Sequence, residues 1–95
     1  MTDARWRWLL ADPDYDEIHE LAAAVRAEER LAALYPSVTM GRVLRLRLSE
    51  DPDRREILLD RHDNGDIEVR ATWAEPRRLT HSIAEAVEAA VSLLT

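Results

Sequence analysis

A chain of 95 residues with a formal charge of −6, 46% hydrophobic and 34% charged residues and no cysteine is sized for one domain, 1–95, built on a single core. The acidic balance disfavours a general nucleic-acid binder, which must concentrate cations to displace counterions from phosphates, and no apolar run approaches the roughly 18 residues of a membrane span. Neither a disulfide nor a thiolate ligand or nucleophile is available, and with no apolar leader in MTDARWRWLL a cytoplasmic protein is expected.

In chain order, Asp3 can cap a short helix over 4–11 carrying Trp6, Trp8, Leu9 and Leu10; an extended segment with both tryptophans on one face is the rival. Residues 12–36 predict a long helix. Asp12 and Pro13 start it, Asp14 with Glu17 forms a capping box, acids crowd its first turn and Pro36 ends it. Ile18, Leu21, Ala22 and Val25 form its apolar face, but Leu31, Leu34 and Tyr35 do not continue that face at helical spacing. A break near Glu28 and Glu29 is therefore expected.

Three strands follow, 40–49, 55–62 and 66–72 with Trp73 at the edge, separated by EDPD and by DNG. A two-residue Asn64-Gly65 turn would pair Asp60 with Val69 and mix the two faces. A three-residue Asp63-Asn64-Gly65 loop with Gly65 left-handed pairs Leu59 with Val69 and Ile57 with Ala71, which the apolar pattern favours. The chain closes on a helix with a Ser82/Glu85 capping box and a stripe of Ile83, Ala86, Val87, Ala90, Val91 and Leu94. The predicted order is α-β-β-β-α. This is an α+β fold, a three-stranded antiparallel meander with the helices packed on one face.

The stretch RVLRLRL sends Leu44, Leu46 and Leu48 towards the helices and Val43, Arg45 and Arg47 the other way, where Leu58, Asp60, His62, Glu68 and Arg70 join them. All thirteen cations of the chain are arginine, so arginine here carries little information about bidentate recognition. Residues 42–73 hold seven arginines and eight acids, enough for cross-strand pairs to neutralise an ordinary wet sheet face. Arginine mixed with Val43 and Leu58 also suits a protein interface. The candidate partner-binding residues are Val43, Arg45, Arg47, Leu58 and Arg70 on the sheet, and Trp6 and Trp8 as an aromatic anchor near the N-terminus.

Sites for chemistry are scarce. His19, His62 and His81 fall into no metal-binding spacing, and DRHDNGD lacks the closing Glu of a calcium loop. His62 beside Asp60 or Asp66 reads as a surface hydrogen bond rather than an acid/base pair. No serine sits in a nucleophile elbow, and Gly41 and Gly65, the only glycines, cannot build a phosphate cradle. No metal, cofactor or catalytic residue is expected.

Trp8 to Leu10, Asp12, Pro13, the segment from Ala27 to Pro36, Asn64, Gly65 and the segment from Ala84 to Val87 resemble the motifs of a family of small actinobacterial proteins labelled natural-product biosynthesis proteins. That pattern has a Ser-His-Gly turn before an aromatic first strand; here Ser37 is followed by Val38 and a Leu-Arg alternation. The resemblance implies a bacterial cytoplasmic origin and a biosynthetic setting, and it transfers no reaction. The expectation is a small, acidic, non-enzymatic accessory module that engages a protein partner or itself. One alternative is an immunity-type protein that meets a basic toxin through Asp14, Asp16, Glu17 and Glu20. Another is a small enzyme or ligand carrier with a pocket lined by Trp73, Tyr35, His81 and Arg45.

Overall fold

The computed structural model describes residues 2–49 and 55–94. The N-terminal segment is helical, α1 (Thr2–Ala11), and its two tryptophans part company. Trp6 is 1% exposed, whereas Trp8 is 65% exposed, because residues two apart on a helix face different directions. Asp3 does not cap α1 but lies in its first turn, where it accepts a hydrogen bond from Arg26 at 2.9 Å.

The predicted long helix is three pieces. A single 3-10 turn (Pro13–Tyr15) begins at Asp12, whose side chain accepts from the Asp14 N–H, so the cap is Asp12 and not an Asp14/Glu17 box. Helix α2 (Asp16–Ala27) then buries Ile18, Leu21, Ala22 and Val25, as its periodicity predicts. The break falls at Glu28, whose extended backbone ends α2 and whose carboxylate caps the short α3 (Glu29–Ala32).

The sheet has five strands, which corrects the expected three: β1 (Tyr35–Thr39), β2 (Val43–Arg47), β3 (Glu56–Arg61), β4 (Ile67–Ala71) and β5 (Ala74–Thr80), in sequential antiparallel order. The two additional strands are both edges, and each contains a proline, Pro36 or Pro76. A proline cannot donate to a ladder, so it reads as a break in sequence and is tolerated in a sheet only where one side is unpaired. The rim of the sheet is thus formed by residues 35–39, of which 35 and 36 close the predicted helix, and by residues 74–80, for which the sequence predicts no element. Residues 40–42 form the β1–β2 turn rather than the start of a strand, with Met40 at φ 57° and Gly41 at φ 72°. The EDPD stretch lies outside the described residues.

The three central strands keep the predicted pattern. Leu59 pairs with Val69 and Ile57 with Ala71, across a loop in which Gly65 has φ 92°. Leu44 and Leu46, Ile57 and Leu59, and Ile67 and Val69 meet α1, α2 and the closing helix α4 (Ile83–Ser92) in one core. Ser82 caps α4 by accepting from the Glu85 N–H. The α+β class therefore stands, with four α-helices and five strands among the described residues in place of the expected α-β-β-β-α order.

Candidate functional site

The fold brings Val43, Arg45, Leu58 and Arg70 together on the sheet face opposite the core, with Arg47 at the end of the same strand. Val43 and Leu58 are only 9% and 8% exposed, yet neither belongs to the core cluster. Their cover is the charged side chains around them. Arg45 donates to Glu56 at 2.6 Å, Arg42 stands 3.7 Å from Asp60, and Glu68 lies 3.4 Å from Arg77 and 3.9 Å from His62. Such cross-strand pairs are what a neutral mixture of arginines and acids forms on a pleated surface. Arg70 is exposed and forms no ion pair among the described residues.

The tryptophans divide differently from the expected joint anchor. Trp6 is a core residue whose indole N–H donates to the Ala32 carbonyl at 3.1 Å, so it has no free surface to offer. Trp8 stands outside and meets Tyr15 edge-on, with ring centroids 6.2 Å apart. The turn carrying Met40, which is 76% exposed, rests on the same 3-10 turn as Tyr15, since a Cβ on Gly41 would lie 3.9 Å from the Asp14 carbonyl. Met40 is an apolar side chain in water on a left-handed backbone, a position where Asn or Gly would cost less.

Next to Tyr15 in the chain, the first turns of α2 and the β3–β4 hairpin enclose an open cleft of about 430 Å³ lined by Asp16, Glu17, Glu20, Arg61, His62 and Asp63. Arg61 holds the two elements together, donating to the Glu17 carbonyl at 2.6 Å. Acids crowd the first turn of α2 because carboxylates there complement the helix dipole. Their meeting with the hairpin is a tertiary event that no local pattern announces. Met40, Tyr15 and the hairpin residues were not among the predicted site residues, and only the α2 acids were visible in sequence.

The histidines make other partners than expected. His62 approaches Glu68 rather than Asp60 or Asp66, and Asp66 instead receives His81 at 3.0 Å. This second pair ties the hairpin loop to the start of α4. The hydrogen bond from His81 holds the Asp66 carboxyl below its ordinary 3.8, aided by the charge of His81, by Asn64 and by His62. The hydrogen bond to Asp66, then its charge and that of Glu85, raises His81 above 6.5. The lowered Asp66 gives stability that is present above 3.8 and lost as pH falls through its folded value. The raised His81 gives stability that is present below 6.5 and lost as pH rises through its folded value. The pair is thus complete between about pH 4 and 6.5. The urea midpoint of His81→Ala is expected to fall below that of wild type at pH 5 and to approach it at pH 9; an equal gap at both would mean that the pair does not form in solution.

The residues proposed to line a ligand pocket are not brought together. Trp73 and His81 flank opposite ends of β5, and Tyr35 lies under the Arg5 guanidinium, 5.3 Å from its ring centroid, on β1. Among the described residues no group of three or more His, Asp or Glu is placed to hold a metal ion, and no helix is long and apolar enough to cross a membrane.

Residues 1–94 match the model of a family described as a family of unknown function, DUF6193. The chain belongs to this family. No curated protein and no solved structure matches it. For this DUF6193 chain, the reading of the site therefore rests on its own geometry.

Proposed function

We propose that this chain is a small non-catalytic binding module whose α2 end engages a basic protein partner. The observation that carries the reading is Trp8, 65% exposed and braced by Tyr15, which is followed in the chain by Asp16 of the cleft lined by Asp16, Glu17, Glu20 and Asp63. An exposed tryptophan supplies a large contact area at little entropic cost, and tryptophans are enriched among the residues that dominate binding energy. Met40 extends the apolar contact from the adjoining turn, and an uncompensated backbone cost at an exposed apolar residue is a mark of function. Carboxylates around an aromatic anchor select a cationic partner and speed its approach.

A basic toxin covered by this surface is one partner of that class. A natural-product biosynthetic assembly in the bacterial cytoplasm is the setting we propose, on the strength of the motif resemblance. The sheet face is the weaker candidate for this role, because most of its charges already satisfy one another.

The test is site-specific photo-crosslinking in the source cell from position 8, with position 88 on α4 as control. A basic protein captured from position 8 alone is the expected result. With that partner purified, Trp8→Ala should weaken binding by about 30-fold or more, a loss of about 2 kcal/mol. Met40→Asn should weaken it less while raising stability by about 0.5–1 kcal/mol. Equal capture from both positions, or a Trp8→Ala affinity equal to wild type, sinks the reading.

A further inference from the structure

The charge of this protein is unevenly divided between its layers. Residues 35–80, the sheet and its connections, carry nine arginines and nine acids, so the whole net charge of −6 lies on the helical segments. Two copies meeting through their helices repel one another; two copies meeting sheet to sheet do not. On the outer face two neighbouring rows of the central strands differ in sign, although Arg42 and Arg77 reach the acids of the second row in plane. Arg45 and Arg70 flank Leu58 in one row, and one step along the strands Asp60 and Glu68 stand beside Val43. A second copy turned about a two-fold axis that runs across the strands, between these rows, lays Arg70 of each copy over Glu68 of the other.

From this complementarity we infer that the outer sheet face is a self-association surface, occupied by a second copy of this chain with Arg70 of each copy over Glu68 of the other. Arg70 is exposed on this face and, like Arg30 and Arg78 elsewhere, forms no ion pair among the described residues. Leu79, opposite Glu68 on β5, is 54% exposed and adds apolar contact at the rim. Covering the face costs little further desolvation, because Glu56 and Glu68 are already reduced to 13% and 16% exposure by their in-plane partners. Strands about 4.8 Å apart and five to seven residues long make a face roughly 20 Å on a side. That is below the usual size of a stable interface and in the range of weak, transient contacts, so a weak dimer is expected. The surface lies apart from Trp8, so the dimer stands or falls independently of the proposed partner.

Sedimentation equilibrium tests it with wild type, Arg70→Glu, Glu68→Arg and an equimolar mixture of the two variants, circular dichroism confirming that each is folded. Wild type is expected to dimerise, each variant to dimerise at least tenfold more weakly, and the mixture to recover the wild-type mass. Recovery follows because position 70 of one variant then meets the opposite charge at position 68 of the other. Should Glu68→Arg fail to fold, Leu79→Asp replaces it, and dissociation by both Leu79→Asp and Arg70→Glu is the expected result. Trp8→Ala should leave the mass unchanged. A wild type that stays monomeric to about 1 mM, variants that dimerise as wild type does, or a mixture that stays monomeric overturns the proposal.

Discussion

Replacing Trp6 by alanine is expected to remove about 3–5 kcal/mol of folding stability, the cost of truncating a fully buried aromatic side chain. Trp6 is 1% exposed and leads the large, fully buried side chains of the core. Its indole also closes the end of α3, whose last carbonyls have no partner within the helix; the Ala32 oxygen accepts a hydrogen bond from the Trp6 N–H. A domain of this size holds roughly 5–10 kcal/mol in all, so about half of it is at stake in one residue. Trp6→Phe separates the two contributions. It keeps most of the apolar volume and leaves the Ala32 carbonyl without that donor, for an expected loss nearer 1–2 kcal/mol. Urea unfolding followed by circular dichroism reads both values. A Trp6→Ala loss below about 1 kcal/mol would show that α1 does not contribute to the folded core.

The second large effect comes from adding atoms. Ala86, Ala89 and Ala90 on α4 are 0%, 2% and 0% exposed, and these small side chains let the helix lie close to β4 and α2. Ala90→Leu raises hydrophobicity and leaves helix propensity almost unchanged. It should nonetheless destabilise the protein by about 1–3 kcal/mol, because a packed interior must move to admit the longer side chain. Ala84→Leu, at an exposed position of the same helix, should stay within about 0.5 kcal/mol of wild type. If the two variants unfold at the same urea concentration, α4 is not packed as described.

These two residues also mark how far the sequence could be read. Period and capping predicted that α4 is a helix with Ala90 on its buried face, and they placed Trp6 on a helix, but they left it grouped with Trp8 as a surface anchor. Only the pairing of α1 with α2 and β1 decides which tryptophan turns inward. The strands divide in the same way. β2, β3 and β4 alternate strongly, and the Asp63-Asn64-Gly65 loop sets the register of β3 and β4 correctly, whereas β1 overlaps the predicted helix end and β5 has no predicted element. An edge strand is held by hydrogen bonds from one neighbour, so it tolerates Pro36 and Pro76 and carries the very residues that mark breaks in isolated sequence.

For the candidate surfaces the split runs deeper. The alternation of RVLRLRL was enough to place Val43, Arg45 and Leu58 on a common outer face, and the acids at the start of α2 were plain as a charge run. That the same acids face Arg61, His62 and Asp63 across a cleft depends on contacts between residues more than forty positions apart. The exposure of Trp8 against Tyr15, and the choice of His81 rather than His62 as the partner of Asp66, likewise depend on how separate elements meet. The sequence by itself determined the α+β class, the break at Glu28 and the register of the central hairpin, because periods of 2 and 3.6, caps and turn residues act over a few neighbouring positions. Tertiary structure alone decided the number of strands, which tryptophan is buried and which charges meet, because these are settled by packing between elements that local chemistry leaves free to choose their neighbours.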